Sequence, residues 1–278
     1  MSSPDTPQHE SATVKARLNY IVDNGVAPIH DITETEEIRT RPGTYEERTV
    51  IVRDGRPVKS SFDLETHGFA FVEGGSAVRN FYDPDEVSSI YFPEIENLIE
   101  AYTGAAKVVI FDHTIRCADE PTRKEKVLRE PVKRVHNDYT EDSAPQRVRD
   151  LLPPAEAEAR LKKRFMIIQV WRPTRGPVLS EPLAVSDART IGAANCITVQ
   201  RRYPNRIAYT YHIAYDPGHV WYYFPKMTPA EALIFKVYDS DKSAPARFTA
   251  HTAFDDPASP SDAPFRESIE VRALAFFD

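Results

Sequence analysis

Apolar and polar positions along this chain alternate in two distinct rhythms. Between Asp85 and Tyr102, Ile95, Leu98, Ile99 and Tyr102 recur at helical spacing. That spacing predicts a helix, broken or restarted at Pro93 and capped by Gly104. A second helical stretch, Asp142 to about Leu161, is interrupted at Pro153-Pro154. Elsewhere short runs rich in aromatic and β-branched residues predict strands. They cover Lys107 to Phe111, Val132 to His136, Phe165 to Trp171, Ala194 to Arg201, Ile207 to Ile213 and His219 to Phe224. Ala232 to Tyr238, Ala246 to His251 and Ser268 to Phe277 complete the set. The stretch from Glu47 to Arg53 followed by Asp54-Gly55 reads as a hairpin with a tight turn. Glu120 to Glu130 reads as a charged loop and Asp255 to Pro264 as a polar one.

Strands at this spacing fit a sandwich or barrel rather than βαβ units. The expected fold is mainly β with flanking helices, around a double-stranded β-helix (jelly-roll, cupin-like) core. Residues 1–14, rich in Ser, Pro, Thr and Gln, read as a disordered arm. Residues 15–278 read as a single jelly-roll domain with an α-rich N-terminal part. A chain of 278 residues buries a sizeable core without disulfides. Its 23 prolines against 10 glycines suit many rigid loops and few long helices.

A net charge of −7 argues against wholesale binding to nucleic acid or to anionic membrane surfaces. The two cysteines, Cys117 and Cys196, offer neither a disulfide framework nor a zinc spacing, and they suit a reducing compartment. Met1 to Glu10 carries no apolar signal region, and no apolar run is long enough to span a bilayer. A cytoplasmic protein acting on a small molecule is expected, with its oligomeric state open.

His136-Asn137-Asp138 supplies the candidate chemistry. Of eight histidines, only His136 has an acid two residues later. In an extended strand, residues two apart share a side, so His136 and Asp138 can face one ion. His251 lies in another predicted strand, which a jelly roll can bring alongside. Two imidazoles and one carboxylate form the facial ligand set of non-haem iron(II) oxygenases and leave positions open for a co-substrate and dioxygen. Arg266 and Ser268 also sit two apart at a strand start, and no other arginine has a serine at that spacing. A guanidinium fork plus a hydroxyl receives a carboxylate, such as the far end of 2-oxoglutarate. Arg272, on the same face as Ser268 and Glu270, is the alternative anchor. An ordinary salt bridge to Glu267 or Glu270 would also account for Arg266.

These residues resemble the small iron(II)/2-oxoglutarate oxygenase-like proteins of natural-product pathways, the cephamycin-methoxylase-like and gibberellin-desaturase-like hydroxylases and desaturases. The resemblance runs from about Tyr91 to Phe277. It rests on Tyr91-Phe92-Pro93-Glu94, Phe111-Asp112-His113-Thr114 with Arg116, and Val135-His136-Asn137-Asp138-Tyr139-Thr140. It continues through Trp171-Arg172-Pro173, Trp221 to Pro225, His251-Thr252-Ala253-Phe254 and Arg266 to Arg272. It implies His136, Asp138 and His251 as metal ligands, Arg266 with Ser268 as the co-substrate clamp, and Fe(II) and 2-oxoglutarate as cofactors. The implied reaction uses dioxygen on a C–H bond of a small natural product, with hydroxylation, desaturation or ring formation as outcomes. One departure stands out: better-known oxygenases of this fold place the arginine nearer the distal histidine, whereas here an Asp- and Pro-rich loop intervenes.

Arg116, Tyr139 and Arg172 are the candidate substrate contacts. Asp187 with Arg189 reads as a loop-fixing salt bridge, His113 as a core histidine, and His212 and His219 as structural. Two other readings use the same scaffold: a metal-dependent isomerase or hydratase that needs no 2-oxoglutarate, and a non-catalytic jelly-roll binding module.

Overall fold

The computed structural model describes residues 12–33 and 37–278. Its N-terminal strands are β1 (Thr13–Ile21), β2 (Ile29–Ile32), β3 (Glu37–Arg41), β4 (Tyr45–Asp54) and β5 (Phe69–Glu73). Next come α1 (Pro84–Glu86), a π-helical turn (Val87–Tyr91), α2 (Phe92–Thr103), β6 (Lys107–Cys117), α3 (Glu120–Lys126) and β7 (His136–Asn137). Helices α4 (Ser143–Leu151) and α5 (Pro154–Arg160) lead into β8 (Phe165–Pro173) and β9 (Leu183–Ser186). The chain ends with β10 (Cys196–Tyr203), β11 (Arg206–Ile213), β12 (Trp221–Tyr223), β13 (Glu231–Asp239), β14 (His251–Ala253) and β15 (Glu267–Phe276).

Two sheets form the jelly roll. The larger runs β1-β4-β12-β9-β14-β7-β11-β10-β2-β3 and the smaller β5-β13-β8-β15-β6. Strand β15 shows how period-2 patterning builds the layers. Leu274 and Phe276 pack inward with Phe165, Ile167, Trp171 and Val185. Val271, Ala273 and Ala275 face the other way, onto Tyr91, Ile95 and Ile99. Burying each of those isoleucines stabilises the fold by about 1.5–3 kcal/mol. Helix α2 ends where Gly104 takes φ 69° and its N–H reaches the Glu100 carbonyl, a left-handed cap that favours glycine. Pro93 lies in the first turn of α2, where the α-helix restarts after the π-helical turn as expected, a position that tolerates a proline.

Several sequence-based expectations need correction. The N-terminal part is not α-rich up to Asp54: four strands occupy residues 13–54, and Ala16, Leu18 and Tyr20 alternate inward as strand residues do. The expected arm, 1–14, falls outside the described residues up to position 11, and Thr13 and Val14 already pair with β4. Asp54-Gly55 does not close a hairpin, since β4 pairs with β1 and with β12, and a 3₁₀ turn (Arg56–Ser61) follows. Glu120 to Glu130 is not all loop. Asp119 caps α3 by accepting from Thr122 N, and Lys124 pairs with Glu120 at 2.6 Å. The helix shows no apolar stripe because it lies on the surface, polar all round. Finally, β14 begins at His251 rather than ending there, and β7 is only His136–Asn137. Among the described residues, no helix is long and apolar enough to cross a membrane.

Candidate metal centre

Strands β7 and β14 lie side by side in the larger sheet, with His136 and His251 as antiparallel partners. The rings stand 4.3 Å apart between centroids. Asp138 follows β7 directly, and donor atoms of His136, Asp138 and His251 all lie within 4.8 Å of one another. The three residues that the sequence singles out therefore converge between the two sheets.

The histidines are held alike. His136 Nδ1 lies 2.8 Å from the Arg134 carbonyl and His251 Nδ1 3.1 Å from the Thr249 carbonyl. A carbonyl only accepts, so each Nδ1 carries a proton, and Nε2 is the ring nitrogen left for a metal ion. Burial, and then the neighbouring His136, lower the His251 pKa to about 4, which keeps it neutral and able to ligate. Asp138 is the complement. Burial pushes its carboxyl up, but the Arg272 guanidinium beside it outweighs this and holds it well below the usual carboxylate range. Two imidazoles and one carboxylate fit a divalent ion such as iron(II).

The facing sheet positions Asp138. Gln169 Nε2 (β8) and Arg272 Nε (β15) donate to its Oδ2 at 2.6 and 2.7 Å. Gln169 and Arg272 are themselves register partners. Oδ1 is the oxygen turned toward His136 Nε2, 3.4 Å away. Sequence reasoning missed Gln169. Its signal was a single amide in the otherwise apolar run Phe165 to Trp171.

The two candidate anchors differ in their partners. Arg272 is already engaged by carboxylates: besides Asp138, it donates to Asp112, Thr114 and Glu270. Arg266 is 2% exposed and has no carboxylate within ion-pair distance among the described residues. Its Nη1 donates to the Glu181 carbonyl at 2.6 Å, its guanidinium stacks 5.5 Å over Trp171, and its Nε is buried without a partner. Burial pushes this guanidinium down to about 10. Ser268 Oγ and Trp171 Nε1 are also buried and without hydrogen-bond partners among the described residues. A small cavity of about 20 Å³ links Arg266 and Trp171 to His136 and His251.

Of the candidate substrate contacts, Arg116 and Tyr139 line a larger cavity of about 610 Å³ that reaches His136 and Asp138. Arg116 also donates to Glu270 and to the Glu130 carbonyl. Arg172 does not belong there. It lies on the opposite face of β8 and donates to Tyr91 Oη and to the Gly74 and Pro229 carbonyls, so it ties strands to the helical layer. Asp187 and Arg189 form the expected ion pair at 2.6 Å. His212, read as structural, is the register partner of His136 and also lines the larger cavity.

Comparison with known proteins agrees with this geometry. The family model described as "YDMC: Oxidoreductase/YMDC permease-like domain" matches residues 18–276. The chain is 32% identical to the alpha-ketoglutarate-dependent dioxygenase phiK of a Fungal sp., over 99% of this chain and 100% of that protein. It is 36% identical to the Fe(II)/2-oxoglutarate-dependent dioxygenase nvfI of Aspergillus novofumigatus, over 80% and 81%. With the hydroxylase/desaturase efuI of Hormonema carpetanum it shares 31% identity, over 97% of both. A solved structure of the iron and alpha-ketoglutarate-dependent endoperoxidase NvfI superposes with a TM-score of 0.84 at 30% identity, covering 95% of this chain and 98% of that one. The chain therefore belongs to the iron(II)/2-oxoglutarate-dependent oxygenase family that includes the hydroxylase/desaturases of fungal secondary metabolism.

Proposed function

We propose that this oxygenase holds iron(II) through His136, Asp138 and His251 and seats the far carboxylate of 2-oxoglutarate on Arg266 and Ser268, so as to act on a C–H bond of a small natural product. The observation that carries the co-substrate assignment is Arg266 itself, a fully buried guanidinium with no carboxylate within ion-pair distance among the described residues, placed across a small cavity from both imidazoles. A buried charge without a partner is costly, and a bound carboxylate removes that cost. Ser268 Oγ offers a further donor beside it.

Iron(II) with 2-oxoglutarate and dioxygen supplies the oxidising power for removing hydrogen from an unactivated C–H bond, while the keto acid leaves as succinate and carbon dioxide. The protein's own part is placement. Gln169 and Arg272 fix one oxygen of Asp138, the Arg134 and Thr249 carbonyls fix the imidazoles, and Trp171 walls the clamp. Hydroxylation, desaturation and ring closure diverge after the same hydrogen is removed, so substrate geometry in the larger cavity selects the product. An isomerase or hydratase that used the metal as a Lewis acid would leave the uncompensated Arg266 without a purpose.

The test is succinate formation in air with iron(II), ascorbate and 2-oxoglutarate. Arg266→Gln should raise the 2-oxoglutarate concentration needed for half-maximal turnover by roughly ten-fold or more. An unchanged requirement would remove Arg266 from the co-substrate site.

A further inference from the structure

The larger cavity carries a charge that the metal site does not use. Its lining includes nine arginines and one lysine against four carboxylates, in a chain whose net charge is −7. Some of these bases are engaged. Arg272 serves Asp138, Asp112 and Glu270; Arg116 serves Glu270; Lys133 pairs with Glu181 and Asp255. Arg123 faces Glu130 at 4.0 Å. The groups around Glu37 and on β11 are lopsided. Arg39, Arg134 and Arg201 converge on one acid, Glu37, at 3.7, 2.7 and 3.6 Å. That acid also faces His30 Nδ1 at 3.2 Å. Arg206 stacks on Tyr203 at 4.2 Å and Arg147 on Phe111 at 4.9 Å, and neither has a carboxylate within ion-pair distance among the described residues. Arg147 Nε and Arg134 Nε are buried without hydrogen-bond partners among the described residues. So is the hydroxyl of Thr210, a residue of the same wall that is 7% exposed.

Register gives these groups a distance scale. Arg206, Ala208, Thr210 and His212 alternate along one face of β11, and all line the cavity. His212 is the partner of the metal-site His136, while Ala208 is the partner of Arg201 on β10. Four residues of strand put Arg201 about 13 Å from the His136 end, and six put Arg206 about 20 Å from it. Arg147 is nearer: it stacks on Phe111, which meets Tyr139, the neighbour of Asp138, edge-on. A water-filled cleft of one sign concentrates ligands of the other.

We propose that the substrate of this oxygenase is an organic acid whose oxyanion is received by Arg201, Arg206 and Arg147 on this wall while its carbon skeleton extends toward His136 and Asp138. The proposal rests on the metal and co-substrate assignment above, in which 2-oxoglutarate occupies the Arg266 side and leaves this wall to the substrate. Carboxylate and phosphate share the required chemistry, and the test separates them.

Equilibrium dialysis of the anaerobic protein loaded with iron(II) and 2-oxoglutarate, using decanoate, decyl phosphate and decanol as probes, reads the preference without turnover. At least one acid should bind roughly ten-fold tighter than decanol, with the advantage shrinking as salt is raised. The tighter of the two acids names the group. Arg201→Gln and Arg206→Gln should each remove most of that advantage, and Arg201→Lys should retain part of it. Binding of 2-oxoglutarate to the same variants, measured separately, should be unchanged. Equal binding of decanol and both acids overturns the proposal, as does an acid preference that survives both glutamine variants. Loss of 2-oxoglutarate binding in those variants also overturns it, because the wall would then serve the co-substrate. Failure of the wild-type protein to bind 2-oxoglutarate would count against the clamp assignment instead, and the probe comparison would still stand.

Discussion

Arg272 Nε lies 2.7 Å from Asp138 Oδ2, bringing a side chain of the smaller sheet onto a carboxylate of the larger one. Gln169 reaches the same oxygen at 2.6 Å. With that oxygen occupied twice, Oδ1 is left for an ion, so Asp138 should ligate through one oxygen. Gln169→Leu removes one of the two hydrogen bonds to Oδ2 while keeping the volume similar. Iron(II) or cobalt(II) affinity should fall roughly 10–100-fold, the usual cost of losing a hydrogen bond to a ligand. Metal titration checks this, with circular dichroism as the control for folding.

The clamp predicts a stability signature. Saturating 2-oxoglutarate on the metal-loaded protein should raise its melting temperature, since a ligand at a hundred times its dissociation constant stabilises by about 2.7 kcal/mol. The Arg266→Gln protein should show little of that rise. Arg266→Gln without ligand should melt close to the wild type, because it removes a buried charge that no carboxylate among the described residues pairs with. Scanning calorimetry with and without the keto acid distinguishes the cases.

Acid should unfold the protein through the groups beneath the site. Burial pushes the Glu270 carboxyl up, but Arg116 and Arg272 outweigh it and lower its pKa to about 2. Asp239 is lowered too: burial opposes, and the hydrogen bond from Arg164 and the charge of Lys236 prevail. A depressed carboxylate contributes stability above its unfolded value and loses it as pH falls through the folded value. The expected loss therefore runs from about pH 4.5 down to about pH 2. Urea melts across that range should show it. Glu270→Gln should be less stable at neutral pH and lose less on acidification.

Gly68 supports the strand that carries the distal ligand. It adopts φ +85°, and a Cβ there would strike Thr249 Oγ1 and come within 2.8 Å of the Ala188 Cβ. Thr249 donates to the Gly68 carbonyl, and its own carbonyl orients His251. Gly68→Ala should cost more than about 1 kcal/mol, from left-handed strain plus the collision. It should also weaken metal binding, which denaturation and metal titration would report together.

How much of this was legible in the sequence varies by element. His136, Asp138 and His251 could be found because a strand places alternate residues on one side and because few histidines compete. Arg266 could be found from its spacing to Ser268. Gln169 was overlooked because its role depends on which β8 residue meets Asp138 across the gap between sheets, a long-range fact that local pattern does not carry. Arg172 misled for the same reason: strand parity turns it away from Trp171, onto Tyr91. The basic wall was invisible because Arg134, Arg147, Arg201 and Arg206 come from separate elements, and the net charge of the chain has the opposite sign. The N-terminal strands were overlooked although Ala16, Leu18 and Tyr20 alternate there with Lys15, Arg17 and Asn19, because the pairing of β1 with the distant β4 is a long-range fact that local pattern does not carry.

The most direct test of the central assignment is an absorption titration without oxygen. Protein given one equivalent of iron(II) and then 2-oxoglutarate should develop a visible metal-to-ligand charge-transfer band. Asp138→Ala should show none, and Arg266→Gln should need far more 2-oxoglutarate to reach it. A wild-type protein that stays colourless with both partners saturating would contradict the account.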